Sequence, residues 1–321
     1  MNLRKILHPE IFQGSMKKIG YFEGWYFKNV SHDLVSAIAV IPGVSLSKDD
    51  PHAFVQYIDG INGKATYFRY DTRDFHFSKK EFKIRVGDSE FSEDRINLNL
   101  KNGEYHIAGT LGYSGHVKLP KSILAPGIMG WYSYVPTMEC NHGVVSINHK
   151  IEGTLTINNK AIDFTGGKGY IEKDWGISFP ESWIWLQCNN FTRPGTSLMI
   201  SIAKIPWRGH FFIGLIAFLS IDGTTEIFAT YNRSKIISLK QINEFSTEVI
   251  IRKGKKILTA TITKSGSASI IAPVNGSMAK TIKESINSEV EFNYDDGAGN
   301  LISDNGKRAG YEEMKKIFTY F

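Results

Sequence analysis

Residues 166–176, reading GGKGYIEKDWG, and the ISFPESWIWLQCNNF that follows place charge and aromatics where a plain strand would carry neither. In extended backbone alternate side chains share a face, so Tyr170, Glu172 and Asp174 point one way, and Trp183, Trp185, Gln187, Asn189 and Phe191 form a second row. Two acids beside a tryptophan-lined wall have the composition of a site. The bland reading is that Glu172 and Asp174 cap a turn or pair with Lys168 and Lys173, because paired acids in one stretch are usually solvated or structural. An earlier row, Tyr21, Glu23, Trp25 and Phe27, places one carboxylate among three aromatics, and an acid buried there must be neutral or paired. Glu139, Asn141 and His142 in MECNH offer further polar groups; His142 could orient or relay a proton, or be a satisfied structural histidine.

These residues need strands to position them. The chain of 321 residues carries 20 Phe, 14 Tyr, 6 Trp and 30 Gly but only 10 Pro, a mixture that favours strands joined by tight turns. Period-two runs predict strands near 35–41, 53–58, 64–70, 96–100 and 105–111, separated by Asp59-Gly60, Asn62-Gly63 and Asn102-Gly103 as in an antiparallel meander. The pattern resumes near 182–191, 198–205, 211–221, 225–231, 247–252, 257–263 and 289–293. The expectation is an all-β chain with few helices and two β-rich halves, residues 1–174 and 175–321. Residues 120–130, PKSILAPGIMG, read as a linker, and 310–321, with Tyr311, Met314, Ile317 and Phe318 on one helical face, as a short terminal helix.

Composition removes several classes. A net charge of +6 is small for this length and not gathered in one stripe, so no nucleic-acid partner is expected. The densest basic run, RKGKK at 252–256, reads as a solvated hairpin turn, which leaves peripheral contact with an anionic membrane weakly supported. The longest apolar run, 211–221, is of strand length, and the N-terminal residues do not read as a secretory signal, so the expected location is the cytoplasm. Two cysteines, Cys140 and Cys188, are too few for a disulfide framework. GGKG lacks the spacing of a phosphate loop, GYSGH that of a nucleophile elbow, and Cys140 with His142 lacks a second pair for zinc. No metal and no cofactor are expected.

Three separated, aromatic-rich blocks then carry a resemblance: GYFEGWYFK at 20–28, WYSYVPTMECNHGVVSINH at 131–149, and the block from Gly166 to Phe191. In this order the chain resembles the tocopherol cyclase family over nearly its whole length. It is similar, more distantly, to double lipocalin-like proteins that include carotenoid hydratases. Their G-Y-x-D-H-x-W-G pattern is echoed by Gly169, Tyr170, Glu172, Lys173, Trp175 and Gly176, with Glu in place of Asp and Lys in place of His.

The resemblance implies two lipocalin-like antiparallel β-barrel domains and cyclisation of a prenylated hydroquinone to a chromanol. An acid protonates the alkene of the prenyl tail and the phenol oxygen captures the tertiary carbocation, without a redox cofactor. Such an acid must stay protonated near neutral pH, which burial or a second carboxylate favours; Glu172 with Asp174 meets that requirement. Aromatic faces stabilise a carbocation while keeping water out, a role suited to Trp25, Trp175, Trp183 and Trp185. Tyr170, Gln187, Asn189, Glu23, Glu139 and His142 complete the expected substrate-binding set. Two other readings remain: a lipocalin-like carrier for an apolar isoprenoid or lipid, and a carbohydrate-binding module using exposed tryptophans.

Overall fold

The computed structural model describes residues 3–321 and divides into two compact units, residues 3–179 with 269–281, and residues 180–268 with 282–321. The divide expected near Asp174 would cut a strand; the units part at 179/180 instead. Both are built almost wholly from antiparallel strands.

The first sheet comprises β1 (Tyr21–Val30), β2 (Ala37–Leu46), β3 (His52–Asp59), β4 (Lys64–Tyr70), β5 (Phe75–Phe77), β6 (Lys83–Val86), β7 (Ser89–Ser92), β8 (Arg95–Lys101), β9 (His106–Val117), β10 (Cys140–Ile157), β11 (Lys160–Asp163) and β12 (Lys168–Gly176). Its order is β4-β3-β2-β1-β12-β10-β9-β8-β7-β6-β5, with β11 attached to β10. Of the strands expected in a meander, β2 to β4 follow β1 in one consecutive run and β8 and β9 belong to a second, β5 to β10; β12 joins the two runs between β1 and β10. One hydrophobic cluster collects inward residues from the whole path, among them Trp25, Val40, Val55, Phe68, Phe91, Leu98, Leu111 and Ile171. A sheet whose strands all face one core has curled around it, which makes this unit barrel-like. β8 alternates exposed and buried residues, as expected with one wet face, whereas β1, β3 and most of β12 are buried on both faces.

The second sheet comprises β13 (Trp183–Cys188), β14 (Ser197–Trp207), β15 (His210–Ile221), β16 (Thr224–Ala229), β17 (Lys235–Gln241), β18 (Ser246–Lys253), β19 (Lys256–Thr263), β20 (Ala268–Val274), β21 (Ser277–Asp295) and β22 (Leu301–Glu313). Its order is β16-β15-β14-β13-β22-β21-β19-β18-β17, with β20 on β21. RKGKK forms the β18–β19 hairpin, with Gly254 at φ +60° in the turn. Residues 120–130 lie inside the first unit between β9 and a 3₁₀ turn at Gly130–Tyr134, so they link no domains. The expected terminal helix is shorter: β22 takes Tyr311, and a 3₁₀ helix spans Lys315–Tyr320 with Ile317 buried. Among the described residues no helix is long and apolar enough to cross a membrane.

Candidate functional site

β12 sits between β1 and β10, and its two faces carry different chemistry. Tyr170, Glu172 and Asp174 share one face, as the period-two reading expects, opposite Lys28, Tyr26 and Gly24 on β1 and, for Glu172 and Asp174, Val144 and His142 on β10. His142 is the direct cross-strand neighbour of Asp174, where side chains of an antiparallel pair meet. Its Nδ1 lies 2.9 Å from Asp174 Oδ1, and its Nε2 lies 3.4 Å from Glu172 Oε2. The Tyr170 hydroxyl donates to Glu172 Oε2 at 2.5 Å. A continuous chain Tyr170–Glu172–His142–Asp174 results. Tyr170 and Glu172 are buried, and Asp174 is half-buried.

Burial alone would push the His142 imidazolium toward neutrality, but the carboxylates of Asp174 and then Glu172 outweigh it and hold its pKa well above the ordinary value. Burial raises the Tyr170 hydroxyl well above its usual value, and the neighbouring Glu172 carboxylate adds to this. The phenol therefore stays protonated as a donor. One atom from each of His142, Glu172 and Asp174 falls within 4.8 Å of the others, a spacing that could also gather a divalent cation. As arranged, the imidazole lies between both carboxylates and turns a ring nitrogen toward each.

The opposite face of β12 is structural. Lys173 and Glu23, both fully buried, form an ion pair beneath the N-terminal segment. Lys173 Nζ donates to Pro9 O at 2.8 Å and Ile11 O at 2.5 Å, and lies over the Trp25 and Trp175 rings. Glu23 accepts from Gln13 N at 2.7 Å, Gly14 N at 2.9 Å and the Tyr21 hydroxyl at 2.6 Å. Burial lowers the Lys173 ammonium to about 8 against the opposing pull of Glu23. Glu23 is thus committed to a clamp that fastens residues 9–14 to the sheet, and Lys173 serves Glu23 rather than either acid beside it. Trp25 stacks on Phe82 in the core and donates Nε1–H to Glu10 O at 2.8 Å; Trp175 points to this same face, away from the acids. Glu139 is exposed and outside the chain of acids. Gly176 ends β12 at φ +150°, where an added Cβ would stand 2.1 Å from Glu139 O.

Trp183, Trp185 and Gln187 alternate along β13 with Ile184, Leu186 and Cys188, and only the latter three join the core of the second unit. All three of the first row are buried, as is Asn189, and Trp183 donates Nε1–H to Glu312 Oε2 at 2.5 Å. Trp183, Trp185 and Gln187 form the row that the spacing predicts, on the second unit, but β13 ends at Cys188 and Phe191 packs into that unit's core instead. Two features lay outside the sequence reading. Tyr26, facing Glu172 across β1, belongs to the alternate set from the Glu23–Trp25 row. Further along β10 a second group joins the half-buried His116 Nδ1 and the buried His149 Nδ1 to Ser146 Oγ, each at 3.0 Å.

The fold and the buried tyrosine–acid–imidazole chain define an all-β, lipocalin-like protein with an ionisable site on its first sheet. Crystal structures show the same architecture. A Nitrosomonas europaea protein under the provisional name AttH superposes with a TM-score of 0.54 at 12% identity, covering 91% of this chain and 92% of that one. CghA superposes with a TM-score of 0.56 at 10% identity, covering 92% and 88%. The tocopherol cyclase-like family model matches residues 93–312, and the chain belongs to that family. The chloroplastic tocopherol cyclase of Zea mays is 29% identical over 106 residues, 33% of this chain and 21% of that protein. The probable tocopherol cyclase of Oryza sativa subsp. japonica is 24% identical over 107 residues, 33% of this chain and 22% of that protein. The matched part thus spans about a fifth of the plant proteins' length.

Proposed function

We propose that this protein is an acid-catalysed cyclase that closes a prenylated hydroquinone to a chromanol. The observation that carries the reading is the chain Tyr170–Glu172–His142–Asp174, with its tyrosine and Glu172 buried, in a member of the tocopherol cyclase-like family. Glu172 is the donor: it takes a proton from the His142 imidazolium 3.4 Å away and passes it to the less substituted alkene carbon of the prenyl tail, and the tertiary carbocation forms next door. The phenol oxygen attacks that carbon, and the phenolic proton returns to the Glu172 carboxylate. Substrate and product are isomers, so atoms and electrons balance with no redox partner. Between these steps the Tyr170 hydroxyl supports the carboxylate by a charge-assisted hydrogen bond. His142, held by Asp174, supplies that proton and takes it back through Glu172 once the ring has closed. Tyr26 presents an aromatic ring beside Glu172, where the cation would develop.

The test is anaerobic incubation with a prenylated benzoquinol in deuterated water, with chromatography and mass spectrometry of the product. The expected product is an isomeric chromanol with one deuterium on carbon, and Glu172→Gln should lower turnover by about 10²–10⁴-fold while leaving ligand binding in place. Saturable binding without deuterium incorporation would replace the cyclase by a carrier of apolar ligands. Full activity in both Glu172→Gln and Asp174→Asn would remove these acids from the mechanism.

A further inference from the structure

A cavity of about 510 Å³ lies in the first unit, away from the acids of β12, and its lining divides by chemistry. Met16, Leu46 and Phe75 contribute apolar surface, while Lys17, Lys18, Lys48 and Arg73 bring four cations around it. The volume is in the range of small-ligand pockets, roughly 300–1,000 Å³. Two local turns set this geometry. Lys18 N bonds to Ser15 O at 2.9 Å, and Asp50 N bonds to Ser47 Oγ at 3.1 Å, so both lysine-bearing segments fold back toward the sheet.

The local charges do not cancel. Arg73 is paired with Asp71 and Arg69 with Asp50, whereas no carboxylate of the described residues lies within ion-pair distance of Lys17, Lys18 or Lys48. Lys17 and Lys48 therefore face no carboxylate, Lys18 Nζ lies 4.3 Å over the Tyr21 ring, and the nearby acids outside the ion pairs are Asp49 and Asp74. On the rim, next to Lys17 and Lys18, Ile19 is 75% exposed. An apolar side chain held in water beside cations, over an amphipathic cavity, matches the layering of an anionic bilayer surface: phosphate outside, hydrocarbon beneath.

We propose that this cavity seats the headgroup of an anionic membrane lipid, with Ile19 entering the interface, so that the first unit docks on a negatively charged bilayer. The proposal goes beyond the cyclase reading and stands or falls separately from it. The lysines hold the phosphate, and Met16, Leu46 and Phe75 receive the start of the acyl chains.

The test is cosedimentation of the full chain with vesicles of equimolar phosphatidylcholine and phosphatidylserine, and with vesicles of phosphatidylcholine alone. The wild type should bind the anionic vesicles selectively and release as salt rises. At about fivefold per lysine near the surface, Lys17→Ala/Lys18→Ala/Lys48→Ala should weaken partitioning on the order of 100-fold. Ile19→Ser should give a smaller loss. All four positions are exposed, and unchanged near-ultraviolet circular dichroism would verify the fold of the variants. The control Arg252→Ala/Lys255→Ala, on the β18–β19 hairpin, should bind as the wild type does. An equal loss in that control would trace binding to overall charge and overturn the proposal. So would equal binding to neutral vesicles, or saturable binding of inorganic phosphate with none to either vesicle.

Discussion

Replacing Lys173 by methionine keeps the length and apolar stem of the side chain and removes only its ammonium. In the native protein that group meets Glu23 and two backbone carbonyls, with both side chains fully buried. Removing one member of a buried pair costs about 3–5 kcal/mol, because the remaining charge stays desolvated without its partner. Glu23 keeps three donors, Gln13 N, Gly14 N and the Tyr21 hydroxyl, so the lower end of that range, about 3 kcal/mol, applies. At roughly 2–4 °C per kcal/mol for a domain of this size, the melting transition of the first unit should fall by about 6–12 °C. Calorimetry at neutral pH measures the shift. Limited proteolysis reads the local consequence, because residues 9–14 lose two anchors and should become cleavable. The double variant Glu23→Gln/Lys173→Met should recover part of the loss, since no buried charge is left behind. A transition within about 2 °C of wild type, with residues 9–14 still protected, would refute the clamp.

Three further outcomes follow from buried groups. Burial holds His149 down to about 3, so between the ordinary value of about 6.5 and that point only the unfolded chain takes up the proton. Stability should therefore fall as pH drops through this window, by on the order of 5 kcal/mol in full, and His149→Gln should flatten that limb in urea titrations; equal slopes would count against it. His142 has the opposite sign: its raised pKa gives a contribution complete below about 6.5 and lost as pH rises through the folded value. His142→Asn should abolish that alkaline decline in a series of denaturation midpoints. At Gly169 an added Cβ would stand 2.1 Å from His149 Nε2, so Gly169→Ala should cost about 1–3 kcal/mol, and Gly169→Ala/His149→Ala less than the sum of the two changes.

The β class of the chain could be read from alternation because most strands have one wet face or sit between clear turns. Lys64–Tyr70 matches its expected bounds, and Phe211–Ile221 and Ile257–Thr263 match within a residue. β10 escaped because its first half, CNHGVVSIN, lies at the bulged part of the sheet, where burial does not alternate. β5 to β7 are three or four residues long, too short for a periodic signal. At the site, spacing along one strand placed Tyr170, Glu172 and Asp174 on one face, but His142 joins them only through the β10–β12 register, which one sequence does not encode locally. The same missing register hid which face of β1 meets Glu172. The aromatic row of Glu23 and Trp25 was more conspicuous, whereas Tyr26 stands beside Glu172.

The first unit is discontinuous: residues 269–281 return to it after most of the second unit's strands. Ser45 Oγ donates to Gly276 O at 2.7 Å, and Gln56 exchanges two hydrogen bonds with Ile271 at 2.8 and 3.0 Å. During synthesis, β2 and β3 leave the ribosome early but cannot complete these bonds until the β20–β21 hairpin emerges. At roughly 5–20 residues per second that delay is on the order of ten to forty seconds, far longer than strand pairing needs. The nascent first unit must therefore wait with those positions uncovered while β13 to β19 are made, which makes this interval the time when a chaperone would find it.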